Sequence, residues 1–226
     1  MKELRATFYE LRSYFVPGSM VLWAVLELMV LTGYEPSTGA LSSLSQSVRG
    51  VLFIVIAYVI GHGLHVVANY TIDKMSFSSY PPKDYFDAKF EQDFSPEAIA
   101  SLFKATAAIL GIQNPDAANA KETIKKAYWV CLQYVMNLQN VETENFLGLT
   151  GFYRGITAAM AVISGMYLLS SVYYSKGVLG IIGLCSFLAG LMFLTRVRRF
   201  GYYLVRTVYF NFLHLYNQKN SGTTSS

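Results

Sequence analysis

Four ionisable side chains stand inside or beside otherwise apolar segments, where a lipid bilayer would make their chemistry unusual. They are Glu27, Arg49, His62 and His65. Charge in hydrocarbon is costly, so such residues line conduits, carry protons or pair with other polar groups. Two interpretations of Glu27 stay open. It is either a pore-lining or proton-linked carboxylate, or a protonated carboxyl that hydrogen-bonds a neighbouring helix.

The two histidines are three residues apart, which places them on one face of a helix. A metal site needs at least a third ligand, and no spacing points to Asp73 or His214 as that ligand. The several histidine-rich boxes of membrane hydroxylases and desaturases are also missing from the sequence. We therefore predict no metal and no cofactor, with His62 and His65 either structural or pore-facing.

Several enzyme signatures are missing from the sequence. It contains no Walker-type glycine loop, no Gly-x-Ser-x-Gly elbow and no His-Glu-x-x-His motif. The two cysteines, Cys131 and Cys185, fall in different predicted regions, so no disulfide framework is expected. No residue is predicted to be catalytic, and an enzyme is the weaker expectation.

Composition and hydropathy predict the elements that position these residues. Charged residues make up 14% of the chain, against roughly 25% in soluble domains. Four apolar segments approach or reach the roughly 17 to 25 residues of a spanning helix: 16–33, 51–69, 155–173 and 178–195. The fold class is therefore an all-α integral membrane protein with about four spans. Glycine and alanine in the third and fourth spans indicate close helix packing.

Helices are also predicted outside the spans. Residues 1–15 have the spacing of an amphipathic helix lying on the membrane, followed by a break or kink at Pro17-Gly18. The 70–154 connection carries two helix-start signals, which predict a hairpin of helices over 96–110 and about 116–140. Residues 196–226 predict a long helix that packs on this hairpin and ends in a disordered tail. A fifth span within 196–216 is the lesser alternative.

Basic residues predict the orientation. Three lie in the N-terminal segment, eight in the 70–154 connection and five after residue 195, while the two other loops hold one each. Both termini and the connection should therefore face the cytoplasm at a plasma or inner membrane. Arg154, Arg196, Arg198 and Arg199 are predicted anchors at the lipid headgroups, in preference to a nucleic-acid site. The bilayer is the predicted partner, without nucleic acid.

In outline, this architecture is similar to small bacterial membrane effectors in which a cytosolic segment controls a membrane-perturbing oligomer. The predicted function is an oligomeric membrane pore, channel or membrane-perturbing effector, a homo-oligomer controlled by its cytosolic helices. One alternative is a membrane scaffold that docks a soluble protein through residues 96–140. A second alternative is a membrane enzyme that uses His62, His65 and Glu27.

Overall fold

The computed structural model describes residues 11–34, 44–71, 84–113, 116–138 and 140–222, and every element among them is a helix. The described residues of Met1–Lys74 and Gly148–Val197 form one compact unit, here called the span unit. Those of Met75–Leu147 and Arg198–Ser226 form a second, the connector unit. The predicted division at residues 15, 69, 154 and 195 stays a prediction.

Four of the helices are long and apolar enough to cross a membrane, as predicted. They are α1 (Leu11–Thr32), α2 (Gln46–Thr71), α8 (Val141–Tyr174) and α9 (Gly177–Gly222). The shorter helices are α3 (Tyr85–Ala88), α4 (Phe90–Asp93), α5 (Pro96–Ile109), α6 (Ala120–Lys126) and α7 (Tyr128–Asn137). Both α8 and α9 extend beyond the predicted third and fourth spans.

The helix α8 is the central helix of the span unit. In its most apolar stretch 44% of residues are buried, against 11% in that of α9. The two helices form an antiparallel hairpin, because Gly183 lies against Leu168 and Gly190 against Met160. Of the glycines predicted to allow close packing, Gly183 and Gly190 do so here, while the space beside Gly165 is open.

Two polar contacts join the last turns of α1 and α2 to α8 and the turn that follows it. The Lys176 ammonium, in the turn after α8, donates to the Leu31 carbonyl of α1 at 2.6 Å. A cation there complements the carbonyl end of a helix. At the other end of the unit, the Arg154 guanidinium donates to the Asn69 side-chain oxygen at 2.8 Å. Both pairs fit spans that run in alternating directions, which the predicted orientation requires. The orientation itself stays a prediction.

A break or a kink is predicted at Pro17-Gly18, and the helix does not break there. The first helix runs through both residues and changes from π-helical geometry in Leu11–Phe15 to α-helical geometry in Val16–Thr32. Proline cannot donate to the preceding turn, and a widened turn before it accommodates that loss without ending the helix. Residues 1–10 of the predicted surface helix lie outside the described residues.

The connector unit confirms the first helix of the predicted hairpin and corrects the second. The Ser95 hydroxyl accepts from the Ala98 amide at the start of α5, and Gly111 follows its end with a φ of 71°. The second predicted helix is interrupted. A 3₁₀ turn over Ala117–Asn119 leads into α6, and a turn at Ala127 separates α6 from α7.

The C-terminal part of α9 completes the core of the connector unit. Leu204, Val205, Val208, Tyr209 and Phe212 are fully buried against the helices of residues 85–135. The Tyr209 hydroxyl donates to the Ile124 carbonyl at 2.8 Å, which satisfies its one polar atom. The predicted packing of this segment on the hairpin is confirmed. The helix continues to Gly222, within the tail predicted to be disordered; residues 223–226 are outside the described part.

Candidate functional site

Glu27 lines an open cleft in the span unit with a volume of about 680 Å³. The cleft lies among α1, α2, α8 and α9, and its walls are mostly apolar. The aromatic members of its lining are Phe15, Trp23, Phe53 and Tyr167. Glu27 is the one acidic residue among the lining side chains, so the cleft carries a single negative charge when Glu27 is ionised.

The position of Glu27 follows from the helical repeat of α1. Trp23 and Glu27 are four residues apart and therefore project from the same face, and both side chains are exposed in the single chain. Since α1 starts at Leu11, five residues before the predicted span, Glu27 lies about 8 Å from the helix midpoint at 1.5 Å per residue. It is thus farther from the centre than predicted, yet still within the apolar length of α1.

The neighbouring polar groups of the cleft already have partners. The Tyr167 hydroxyl donates to the Ala24 carbonyl at 3.2 Å. The Ser19 hydroxyl donates to the Val16 carbonyl at 2.8 Å. Within the described part of the chain, no hydrogen bond or ion pair reaches the Glu27 carboxylate. Among the described side-chain oxygens of the cleft, those of the Glu27 carboxylate are therefore the ones without a hydrogen-bond partner.

The two predicted histidines do come together, but around an aromatic ring. The imidazole of His62 stacks on the Tyr14 ring with centroids 4.0 Å apart, and His65 approaches the same ring at 4.7 Å. Tyr58 meets His62 edge-on at 4.6 Å. The prediction that His62 and His65 share one helical face is confirmed. Their surroundings include the rings of α1 and α2, and His65 also lies beside Gly151 and Arg154 of α8.

Close backbone packing holds these rings in place. A methyl group on Gly61 would overlap the Tyr14 carbonyl oxygen, and one on Gly18 would overlap the Ala57 carbonyl oxygen. On α8, a Cβ at Gly155 would meet the Pro17 ring at 2.8 Å. The glycines beside His62 were expected to allow close packing. Gly61 does so, while the space beside Gly63 is open.

Glu27 and the histidines do not form one site. The histidines gather at Tyr14, thirteen residues before Glu27, which corresponds to roughly 20 Å along a helix. Among the described residues, no group of three His, Cys, Asp or Glu side chains could hold a metal ion. The enzyme alternative depends on His62 and His65. The described residues bring no third ligand to these two side chains.

The predicted basic residues have distinct surroundings. Arg49 is exposed in the first turn of α2, and Arg196 is exposed on α9. The Arg199 guanidinium donates to the Tyr203 hydroxyl at 3.1 Å and lies over its ring. Arg154 is bound to the Asn69 side chain, as described above. Arg196 and Arg199 therefore remain accessible to anionic headgroups.

Arg198 takes part in a cluster that the sequence did not predict. Its guanidinium forms an ion pair with the Asp84 carboxylate, which also accepts a hydrogen bond from the Tyr202 hydroxyl at 2.6 Å. Burial by itself raises the pKa of Asp84, but the bonds from Tyr202 and Arg198 outweigh it and hold that pKa below its usual value. This cluster joins the start of α3 to α9 within the connector unit.

Comparison with known proteins does not extend this description. No protein-family model, curated protein or solved structure matches the chain.

Proposed function

We propose that the chain is a subunit of a homo-oligomeric membrane channel or pore, with Glu27 facing the path between subunits and the connector unit controlling it. The observation that supports this proposal is the exposed Glu27 carboxylate, which stands in an open apolar cleft among helices long enough to cross a membrane. The proposal follows from the free-energy cost of placing that carboxylate in lipid.

A carboxylate left facing hydrocarbon is costly, by about 3 kcal/mol on insertion scales. A second copy packed beside the cleft would shield Glu27 from lipid and place it beside a shared polar path. Four helices of this length also enclose little space by themselves, since the interior of a small bundle is filled by side chains. Assembly therefore accounts for both the carboxylate and the cleft.

The helices themselves provide a means of control. Both α8 and α9 contribute residues to the span unit and to the connector unit. A rearrangement of the connector core can therefore bias the same helices that carry Tyr167 and Ile182 of the cleft. In this proposal the connector unit is the element on which an activating signal acts.

Flux from liposomes tests the proposal. Purified protein is reconstituted with trapped potassium and a small dye, and release is compared among the wild type, Glu27→Gln and Glu142→Gln. Glu142 is an exposed acid in the first turn of α8 and serves as the matched control. We expect release by the wild type and by Glu142→Gln, and a reduction of about tenfold or more in Glu27→Gln. Equal release by the wild type and Glu27→Gln would contradict the proposal.

One observation favours the scaffold alternative. The Trp129 side chain on α7 is 58% exposed, and exposed tryptophans are frequent anchors of protein interfaces. A soluble partner captured by the wild type and lost in Trp129→Ala, with no flux from liposomes, would support the scaffold in place of the pore.

A further inference from the structure

We propose that the cleft around Glu27 binds a lipophilic organic cation, a molecule with a delocalised or alkylated positive charge and an apolar body. This inference rests on the proposed function, because it names the class of molecule that the Glu27 path accepts. It concerns the cleft of a single chain, so binding itself does not require assembly.

The dimensions of the cleft fit a molecule larger than an ion. Its volume of about 680 Å³ falls within the roughly 300 to 1,000 Å³ of pockets that hold drug-sized ligands. Its walls are aromatic and aliphatic, with few polar atoms. Such walls favour an apolar body of several rings or alkyl groups over a small hydrated solute.

The charge and the rings of the cleft select a cation. Glu27 is the acidic residue of the lining, and Trp23, on the same face one turn earlier, is 64% exposed. The face of a tryptophan ring attracts cations, and the attraction strengthens as water is excluded. The Tyr167 and Phe53 rings extend the same surface. An anion would be repelled by the Glu27 carboxylate and by the negative faces of these rings.

The same residues offer too few ligands for a metal cation. Calcium takes six to eight oxygen ligands, and magnesium requires near-octahedral oxygen coordination. Besides the Glu27 carboxylate, the side-chain oxygens of the lining are the hydroxyls of Ser19 and Tyr167, which are too few for such a coordination sphere. A soft organic cation needs no such ligand set, because the charge of Glu27 and the aromatic rings suffice.

The test measures binding of tetraphenylphosphonium to the purified full-length chain in detergent or nanodiscs. The chain has two tryptophans, Trp23 and Trp129, so a Trp129→Phe background leaves Trp23 in the cleft as the fluorescent reporter. We expect saturable quenching in this background, unchanged in Glu142→Gln and weakened about tenfold or more in Glu27→Gln. Triphenylphosphine oxide, a neutral molecule of similar shape, should quench weakly and without Glu27 dependence.

The outcomes separate this inference from the proposed function. Equal quenching by the phosphonium in Glu27→Gln and its background, or by the neutral oxide, would overturn the cation site. Flux that depends on Glu27 without phosphonium binding would also overturn it and leave the channel proposal standing. Phosphonium binding that depends on Glu27, in a chain that gives no flux, would support the site and contradict the channel.

Discussion

The two units of this chain have cores of different construction. The connector unit is built around large side chains that are almost completely buried: Tyr85, Phe86, Phe90, Tyr128, Tyr209 and Phe212. In the span unit Gly18 and Gly61 let helices approach closely, each against the backbone of a neighbouring helix. Its outer surface carries many exposed apolar side chains, among them Val30, Val59, Leu169 and Met192.

The difference is the one expected for a span unit in lipid and a connector unit in water. In water, the burial of aromatic surface stabilises a fold by about 25 cal/mol per Å² of apolar area removed from solvent. Lipid offers no such gain, because its tails are as apolar as leucine, and helices there associate through close approach and hydrogen bonds. The comparison predicts that large-to-small changes damage the connector unit most, and small-to-large changes the span unit.

One tryptophan lies in each unit, which allows the units to be followed separately in the intact chain. Trp23 belongs to the span unit and Trp129 to the connector unit. The Trp129→Phe background therefore reports on the first and the Trp23→Phe background on the second, by thermal or denaturant unfolding followed by fluorescence. Each prediction below is measured in the background that reports on its unit.

The largest effect is expected from Phe212→Ala. Phe212 is fully buried against the Tyr134 and Tyr216 rings, and loss of a buried phenylalanine costs about 3 to 5 kcal/mol. The Trp129 transition should shift to lower temperature. The matched control is Phe210→Ala, since Phe210 is 56% exposed, and its effect should stay within about 1 kcal/mol. Equal effects of the two changes would contradict the connector core described above.

Gly61→Ala is expected to follow, with a cost of about 3 kcal/mol to the span unit. The added methyl group would overlap the Tyr14 carbonyl oxygen, and backbone cannot move aside as a side chain can. Gly63→Ala, two residues away, meets open space and should be neutral or slightly stabilising. The Trp23 transition distinguishes the two variants. A Gly61→Ala chain as stable as Gly63→Ala would show that α1 and α2 do not pack as described.

Asp84→Asn should destabilise the connector unit by about 1 kcal/mol at neutral pH, because the pair with Arg198 is partly exposed. The Asp84 pKa is lower in the folded chain than in the unfolded one. The stabilisation from its ionised form is therefore present above the unfolded pKa, about 3.9, and is lost as the pH falls through the folded pKa. The gap between the wild type and Asp84→Asn in the Trp129 transition should close below about pH 4. A gap that stays constant down to pH 2 would contradict the ionic role.

The smallest effect is expected from Tyr167→Phe in the span unit. This change removes the hydrogen bond from the Tyr167 hydroxyl to the Ala24 carbonyl and keeps the ring. Bonds between helices in membranes contribute about 0.6 kcal/mol on average. The Trp23 transition should fall slightly, with Tyr173→Phe as the comparison, since Tyr173 is 81% exposed near the end of α8. A loss as large as that of Gly61→Ala would show that hydrogen bonding, and not close approach, dominates the span unit.

The sequence predicted the parts of the fold that depend on composition and local signals. The four spanning helices follow from long apolar runs, and the start of α5 follows from Ser95-Pro96-Glu97. The burial of the 204–212 segment follows from its apolar and aromatic residues. Pro17 does not end the helix, because the loss of one donor can be absorbed by a π-helical turn, which no local pattern reveals.

For the candidate site, the sequence predicted which polar residues lie in apolar segments. It did not predict which side chains they contact. The pairing of His62 and His65 on one face follows from their spacing, but Tyr14 reaches them across a helix interface, which spacing along the chain does not encode. The bond between Asp84 and Arg198 likewise joins residues 114 positions apart. The aromatic cleft needs four helices to be packed before Trp23, Phe53 and Tyr167 share it.

The mass of the assembled protein in nanodiscs tests the central claim most directly, since the proposed path requires more than one copy. Native mass spectrometry of the full-length chain, loaded at several protein-to-lipid ratios, counts the subunits in each particle. We predict a discrete oligomer that persists as the protein is diluted in lipid, and that Glu27→Gln weakens. Particles that hold one chain at every ratio would contradict the account.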